Sequence, residues 1–313
     1  MMQVESPAPM RLKYSVDLEY DVTTGGADFI FNVQAARTRQ QQVVQERLEI
    51  SQKLVPQPYV DATTLARFLR LRAGAGPLRL HYDAVLDISQ HRVDPACVAE
   101  IRVADLPGHV LPYLYPSRYC ESDRLHRFAV GQFGALWQGY SRVQAIRDWV
   151  LNHVSFTSNS SDSSTTASDT LIEKQGVCRD FTHLMIALCR AVNIPARFTT
   201  GIDYGADPAL GPQDFHAYVE AYVGHRWYMF DPSGTAIPMG FIRLATGRDA
   251  ADAAFASIFG GVFMQRPIVS IEAVPGQDGI RRVPEHIGDA LSTDDGALHG
   301  AAALADQNTL VSA

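Results

Sequence analysis

The sequence lacks the patterns that several classes of protein require. Only four of its 313 residues are cysteines, and no pair has C-x-x-C spacing, so neither a disulfide framework nor a zinc site is indicated. No uninterrupted apolar run is long enough to cross a bilayer, and the first residues lack the apolar segment of a signal peptide. We therefore expect a soluble, cytoplasmic protein.

Further absences argue against several kinds of binding site and catalytic site. No glycine-rich loop joins a strand to a helix, which argues against a nucleotide-binding fold, and no cysteine is followed by the arginine that a Cys-x5-Arg phosphatase loop needs. The formal net charge of -7 disfavours nucleic acids and anionic membranes as partners. His, Cys and carboxylate residues show no recurring metal-ligand spacing. We expect no cofactor and no metal.

The composition is that of a globular protein, with 46% hydrophobic and 19% charged residues. Apolar and polar residues alternate without a slip along 12–20 and again along 78–88, which predicts strands with one buried face. Glycine and proline mark turns between the strands, including Gly25-Gly26. Residues 1–103 are therefore predicted to form an antiparallel β-sandwich. Weaker strands are expected at 28–33, 42–50 and 67–72.

The second half of the chain has a different pattern. Residues 104–140 are rich in proline and tyrosine and are predicted to connect two domains, and helical spacing begins near Ser141. The polar stretch 155–168 has the composition of a loop, which either covers a cleft or is an insertion without a role. We assign 141–274 to a second domain and 275–313, rich in Asp, Gly and Ala, to a flexible tail.

One cysteine stands where a helix begins. Cys178 follows Gly176-Val177, and from Phe181 onward the apolar residues are spaced for a helix that is buried nearly all round. The unpaired N–H groups and the dipole of a helix N-terminus stabilise an anion. A thiol placed there loses its proton more readily, and the thiolate is the nucleophilic form. Cys178 is therefore a candidate nucleophile.

A hairpin supplies candidate partners for this thiol. His216 begins one predicted strand, and Asp231 ends the next, with Gly224-His225 between the two strands. If the turn consists of those two residues, Asp231 is a diagonal neighbour of His216 on the same face of the sheet. A three-residue turn would place Asp231 on the other face. The hypothesis of a Cys-His-Asp triad therefore depends on the length of this turn.

Such a triad would perform acyl transfer through a thiol. The imidazole takes and returns the proton, the carboxylate orients the imidazole, and the N–H of Cys178 is a natural donor to an oxyanion. A buried cysteine and a strand histidine are each more often structural when found alone. We interpret His183, Arg179 and Asp180 as structural and expect Glu220 to pair with an arginine. Candidates for a second oxyanion donor are Trp137, Tyr140, Trp149 and Gln175.

These motifs resemble those of the transglutaminase-like superfamily of cysteine enzymes, and in particular its bacterial two-domain members. The resemblance covers about residues 10 to 270 and rests on Gly-Val-Cys-Arg-Asp-Phe-Thr-His-Leu at 176–184, Phe-His-Ala-Tyr-Val-Glu at 215–220 and Trp-Tyr-Met-Phe-Asp-Pro at 227–232. It implies an α+β fold, with the β-sandwich followed by a papain-like core in which a helix packs on an antiparallel sheet. It also implies that Cys178 is the nucleophile, His216 the general base and acid, and Asp231 the orienting carboxylate. Tyr218 stands where the family commonly has Trp.

The resemblance leaves the reaction open. We expect a thioacyl-enzyme formed from a carboxamide or a peptide and resolved by water or by an amine, with hydrolysis by a protease or amidase ahead of glutamine–amine cross-linking. Water is always present in an open cleft, whereas an amine acceptor needs a site of its own. The alternative is a non-catalytic interaction protein that retains the fold. A protein or peptide is the expected substrate, and the sequence favours no oligomeric state.

Overall fold

The structure is a computed structural model that describes residues 8–205 and 213–294. The polar loop expected around Pro208, Gly211 and Pro212 lies outside the described residues, as do residues 1–7 and 295–313. In the described part, an antiparallel β-rich N-terminal region is followed by helices packed on a second antiparallel sheet. The α+β fold class is therefore confirmed.

The first five strands form one antiparallel sheet in the order β2-β5-β1-β4-β3. They are β1 (Met10–Phe31), β2 (Gln41–Ile50), β3 (Gln57–Val60), β4 (Arg67–Ala73) and β5 (Gly76–Ile88). Buried residues alternate along β1 and β5, as the period of two predicts, because successive side chains of a strand point to opposite faces. The long β1 pairs with β5 along its first half and with β4 along its second half, so both halves of the sheet share one strand.

The turn expected at Gly25-Gly26 was a wrong prediction, because β1 continues through these residues. The chain bends there through an irregularity between Val22 and Ala27, where the pairing register shifts. Gly26 has a φ of +70°, and a Cβ at this position would lie 2.9 Å from the carbonyl oxygen of Ala73. Glycine therefore allows the bend without interrupting the strand.

Two strands from the C-terminal part of the chain complete this sheet. They are β13 (Ala256–Met264) and β14 (Ile268–Ala273), and both pair antiparallel with β1. The sequence analysis assigned these residues to the second domain. Instead, the chain returns to the N-terminal sheet, and the two strands separate at Gln265–Pro267. The N-terminal sheet is thus built from both ends of the chain.

Helices occupy the middle of the chain, including the stretch expected to be only a connector. The N-terminal three are α1 (Ser122–Phe133), α2 (Tyr140–His153) and α3 (Ala167–Glu173). In α1, Leu125, Ala129 and Phe133 recur every four residues and are buried, a helical period that the sequence interpretation overlooked. A two-stranded parallel pair, β7 (Ser155–Phe156) and β8 (Gln175–Gly176), borders the polar loop. Within the described residues, no helix has the length and apolarity needed to cross a membrane.

The second sheet carries the candidate site. Its strands, in the order β11-β10-β9-β12, are β9 (Ala196–Asp203), β10 (Phe215–Val223), β11 (Arg226–Phe230) and β12 (Phe241–Gly247). Helix α4 (Cys178–Ala191) packs on one face of this sheet and is buried from Asp180 to Ala191, as its apolar sequence predicted. The short α5 (Ala250–Ala253) follows β12, and Asp249 caps it. A core of apolar side chains from α4, α1, α2 and the sheet holds this half together.

Part of the predicted flexible tail belongs to the core, which corrects the sequence interpretation for residues 290–294. These residues are buried, and β15 (Ala290–Ser292) pairs with β6 (His91–Val93). Asp294 accepts hydrogen bonds from Arg197 at 2.5 Å and from Arg243 at 2.7 Å. Because both guanidinium groups are buried, they require an anionic partner, and Asp294 supplies it. The polar composition of residues 275–313 did not reveal this role.

Candidate active site

The cysteine at the start of α4 is held by a tight local geometry. Val177 precedes the helix, and its N–H donates to the buried carboxylate of Asp180 at 2.8 Å. A Cβ on Gly176 would lie 2.7 Å from the Cβ of Asp180, so only glycine fits where the chain enters the helix. The Cys178 side chain is half-buried, whereas Cys120 and Cys189 are buried. Cys178 therefore combines a helix N-terminus with partial access from outside.

The polar loop 155–168 is attached to the first turn of α4. The hydroxyl of Ser161 donates to Asp180 at 2.5 Å, and Arg179 donates to the carbonyl oxygen of Asp162 at 2.6 Å. Arg179 also forms an ion pair with Asp180 at 3.1 Å. The loop thus fixes the segment from which Cys178 projects.

A hydrogen bond between α4 and β10 aligns the thiol with the imidazole. The hydroxyl of Thr182 donates to the carbonyl oxygen of Ala217 at 3.0 Å. Cys178 lies one helical turn before Thr182 on the same face, and His216 directly precedes Ala217. The same contact that packs the helix on the sheet therefore places Cys178 on the side of α4 that faces His216, and Cys178 contributes to the raised pKa of that imidazole.

The hairpin of β10 and β11 has the two-residue turn on which the triad hypothesis depends. Val223 pairs with Arg226, so Gly224 and His225 form the turn, and both have positive φ. Continuing this register puts Asp231 diagonally across from His216. The Nε2 atom of His216 lies 3.4 Å from Oδ1 of Asp231, a distance typical of an ion pair, although the two groups are not aligned as a hydrogen bond. The structure thus brings together all three predicted residues.

Hydrogen bonds hold the carboxylate of Asp231 in place. Its Oδ1 accepts from the N–H and the hydroxyl of Ser233, at 3.0 and 2.6 Å, and its Oδ2 accepts from the N–H of Ala236 at 3.0 Å. Burial tends to raise the pKa of Asp231, but the attraction of His216 and these hydrogen bonds outweigh burial, so its pKa is lowered. Asp231 therefore stays ionised beside the imidazole.

The protonated form of His216 is favoured by its surroundings. Burial tends to lower the pKa of this buried imidazole. The Coulomb attraction of Asp231, the short contacts with Asp231 and Cys178, and the charge of Asp203 act in the opposite direction and prevail, so that the pKa of His216 lies well above its ordinary value. An imidazolium next to a thiol is the partner that a thiolate requires.

Asp203 was missed by the sequence interpretation. It ends β9, and its Oδ2 atom lies 3.7 Å from Nδ1 of His216, on the other side of the ring from Asp231. Gly201 pairs directly with His216, which makes Asp203 a diagonal neighbour through β9 just as Asp231 is through β11. Burial and the charge of Asp231 raise the pKa of Asp203, against the opposing effect of His216. The register of β9 against β10 would have revealed that Asp203 lies beside His216, but this register could not be read from the sequence.

Two of the four expected oxyanion donors have their rings packed against other rings. Tyr140 packs against Phe230 with ring centroids 4.7 Å apart, and Trp149 stacks on His153 at 4.2 Å. Trp137 is 86% exposed, and Gln175 is an exposed residue three positions before Cys178. The N–H of Cys178, one of the first four of its helix, remains the donor nearest to the thiol.

The remaining polar residues near the site are structural, as expected. His183 is buried, accepts a hydrogen bond from the N–H of Ala250 at 3.2 Å and stacks on Tyr119. Burial and the charges of two nearby arginines hold its pKa well below the ordinary value, so it is neutral. Glu220 accepts a hydrogen bond from Arg197 at 2.7 Å. No group of three or more potential ligands in the described ranges is arranged to hold a metal ion.

Two family models match the chain in succession. Residues 10–109 match the bacterial transglutaminase N-terminal domain, and residues 128–232 match the transglutaminase-like superfamily. The first covers strands β1 to β5 of the N-terminal sheet, without β13 and β14, and ends within the stretch 104–140. The second begins within α1 and ends directly after Asp231, so it includes Cys178 and His216.

One solved structure is similar to nearly the whole chain, and other proteins are similar to parts of it. The crystal structure of a candidate cysteine protease from Cytophaga hutchinsonii is 38% identical and superimposes with a TM-score of 0.83, covering 91% of this chain and 97% of that one. The periplasmic domain of TgpA from Pseudomonas aeruginosa is 18% identical with a TM-score of 0.39, covering 74% of this chain and 92% of that one. An uncharacterized protein of Mycobacterium leprae is 27% identical over 117 residues, which are 36% of this chain and 42% of the relative's length.

Proposed function

Because the chain belongs to the transglutaminase-like superfamily, we propose that it is a thiol-dependent acyl-transfer enzyme acting on carboxamide or peptide bonds. Cys178 is the nucleophile, His216 the general base and acid, and Asp231 the orienting carboxylate. The observation that carries this proposal is the imidazole of His216, which lies 3.4 Å from the carboxylate of Asp231 and whose pKa is raised by both Asp231 and Cys178. Three groups of complementary chemistry thus converge from one helix and two strands.

The reaction has two halves. The Cys178 thiolate adds to the carbonyl carbon of the substrate, and the N–H of Cys178 stabilises the oxyanion. The imidazolium of His216 gives its proton to the nitrogen, the C–N bond breaks, and an amine leaves behind a thioester. Water then adds to the thioester and gives a proton to the neutral His216, the C–S bond breaks, and a carboxylic acid leaves. The thiolate and the imidazolium are thereby restored.

Asp231 keeps the imidazole in one orientation throughout. Its carboxylate faces Nε2, so Nδ1 is the ring nitrogen left to exchange a proton with the thiol and the substrate. The hydrogen bonds from Ser233 and Ala236 fix the carboxylate before a substrate binds, so its ordering adds no cost to the reaction.

Hydrolysis is the outcome that we favour for the thioester, with transfer to an amine as the second outcome of the same intermediate. The concentration of water in an open site is far higher than that of a free amine. An amine acceptor can compete with water only if the protein has a binding site for that amine. The substrate that we propose is a protein or a peptide, consistent with the candidate cysteine protease that the chain resembles over most of its length.

Trapping the thioester tests the proposal directly. The full chain is mixed with a library of peptides, quenched in acid and analysed by mass spectrometry for an acyl adduct on Cys178. The Cys178→Ala variant should form no adduct. The control variant Cys97→Ala, in which a different, exposed thiol is removed, should form as much adduct as the wild type. If no adduct forms and amide turnover is equal in wild type and Cys178→Ala, the protein is a non-catalytic interaction protein that retained the fold.

Alkylation gives a second test that needs no substrate. Iodoacetamide reacts with thiolates, so Cys178 beside the imidazolium of His216 should be alkylated faster than an ordinary exposed thiol. Cys97, in the same molecule, is the internal reference. Equal alkylation rates for the two cysteines in the folded protein would contradict the proposed pair.

A further inference from the structure

Asp203 is a second buried carboxylate beside the imidazole that the proposed triad does not use. It is 3% exposed, and its Oδ2 atom lies 3.7 Å from Nδ1 of His216. Asp231 already faces Nε2, so the two carboxylates flank the ring on opposite sides. Burying a carboxylate is costly, and a triad needs only one of them. A second carboxylate therefore calls for an explanation.

The distance between Asp203 and His216 is informative. At 3.7 Å, the two atoms are too far apart for a direct hydrogen bond, but a third atom can lie about 2.9 Å from both of them. Nδ1 is the atom that gives its proton to the leaving nitrogen in the proposed reaction. The nitrogen of the scissile amide must therefore approach Nδ1, and the oxygen of Asp203 lies next to that position.

We propose that Asp203 is a substrate-binding residue that accepts an N–H of the scissile amide, and that it makes the site selective for amides whose leaving nitrogen carries hydrogen. This inference rests on the proposed function of Cys178 and His216. The class of substrate comprises primary carboxamides and ordinary peptide bonds. Esters and thioesters have no hydrogen on the leaving atom and gain nothing from Asp203.

The contact strengthens as the reaction proceeds. When Cys178 adds to the carbonyl carbon, the nitrogen loses its conjugation, becomes tetrahedral and takes the proton from Nδ1. It then carries a developing positive charge and at least two hydrogens, one of which points to Asp203. A carboxylate beside this charge stabilises the step in which the C–N bond breaks, and the amine leaves with the proton from His216. By microscopic reversibility, the same carboxylate binds an amine that attacks the thioester.

A pair of substrates separates this role from a general effect on His216. The full-length wild type and the Asp203→Asn variant are assayed with one acyl group, γ-glutamyl, joined to the same chromophore as a 4-nitroanilide or as a 4-nitrophenyl ester. We expect Asp203→Asn to lower kcat/KM for the anilide by about 10- to 100-fold, as for the loss of a charged hydrogen-bond partner, and to change ester turnover by less than about threefold. Retained ester turnover also shows that the variant is folded.

Partitioning of the thioester gives a second measurement. The ester forms the same thioester in both proteins, and added glycine methyl ester competes with water for it. The ratio of aminolysis to hydrolysis should fall about tenfold in Asp203→Asn, because the amine loses its carboxylate partner. Should Asp203→Asn fail to fold, Asp203→Ser provides the same comparison with a smaller neutral side chain.

Asp214→Asn is the matched control. Asp214 is an exposed carboxylate two residues before His216, so this variant removes the same charge without touching Nδ1. Equal losses with anilide and ester in Asp203→Asn would overturn the proposal, since Asp203 would then act only through His216. An unchanged anilide rate in Asp203→Asn, or the same selective loss in Asp214→Asn, would overturn it as well. Turnover that survives Cys178→Ala would instead refute the proposed function itself.

Discussion

The Nε2 atom of His216 lies 3.4 Å from Oδ1 of Asp231, and this contact joins two strands whose turn has only two residues. A single extra residue in the turn would rotate one side chain to the opposite face of the sheet, because side chains alternate along a strand. The relationship between the two residues is therefore set by backbone register. Hydrogen bonds from Ser233 and Ala236 then hold the carboxylate in place.

Replacing this carboxylate should disable the proposed reaction without unfolding the protein. In Asp231→Asn, the amide keeps the shape of the side chain but loses the charge that stabilises the imidazolium. We expect kcat to fall by about 100- to 10,000-fold, the range assigned to general acid–base catalysis. Steady-state turnover of the γ-glutamyl ester measures this loss. Asp252→Asn, which alters an exposed ion pair with Arg248, should retain wild-type turnover.

The pKa of the His216 imidazole should also depend on Asp231. Because the folded protein raises the pKa of this imidazole, the protonated ring contributes stability that is fully present below about pH 6.5 and is lost as the pH rises through the raised pKa. NMR titration of the ring should give a midpoint above that of a model histidine, and Asp231→Asn should lower it. A wild-type midpoint at or below that of a model peptide would contradict this assignment.

The carboxylate that anchors the polar loop should be important for stability. Asp180→Ala leaves the N–H of Val177 and the hydroxyl of Ser161 without their acceptor in a buried setting. We expect a loss of about 2–3 kcal/mol in the free energy of unfolding. Asp169 occupies the same third position of α3 but is exposed, so Asp169→Ala should cost about 1 kcal/mol or less. Urea unfolding of both variants makes the comparison, and equal losses would contradict the role given to Asp180.

Replacing the buried Asp294 should lower the free energy of unfolding strongly. Its replacement by alanine removes the carboxylate that accepts from the buried Arg197 and Arg243, leaving their positive charges undercompensated. We expect a loss of about 3–5 kcal/mol, which urea unfolding would measure. Glu272 forms an exposed ion pair with Lys13, and Glu272→Ala should cost less than about 1 kcal/mol. A similarly small loss in Asp294→Ala would show that residues 290–294 add little to the core.

Local patterns in the sequence were sufficient for much of the site. The period of two predicted β1 and β5, and the apolar helix after Gly176 predicted that Cys178 begins α4. Turn chemistry located the turn between β10 and β11 at Gly224-His225 but left its length open, and the observed two-residue turn gives the diagonal placement of Asp231. Each of these inferences uses residues that are close together in the chain, and local physics decides them.

Long-range pairing could not be predicted in this way. Asp203 reaches His216 only through the register of two strands whose connection lies partly outside the described residues. The burial of Asp294 depends on two arginines that are 97 and 51 residues away along the chain. In the sequence, the bend in β1 resembles a turn because glycine is common in turns and in bends within a strand. Only the pairing of β1 with β13 shows that the strand continues. Composition carries no information about such partners.

The pairing of β13 and β14 with β1 also orders events during synthesis. β1 leaves the ribosome before β13 and β14, so one of its edges stays unpaired until residues 256–273 have been made. An open strand edge is a template for association with other chains, so the nascent protein carries a hazard that ends only when β13 and β14 have paired with β1. All four strands of the sheet that bears His216 are available before that moment. The N-terminal sheet therefore closes only after every strand of the sheet that bears His216 has been made.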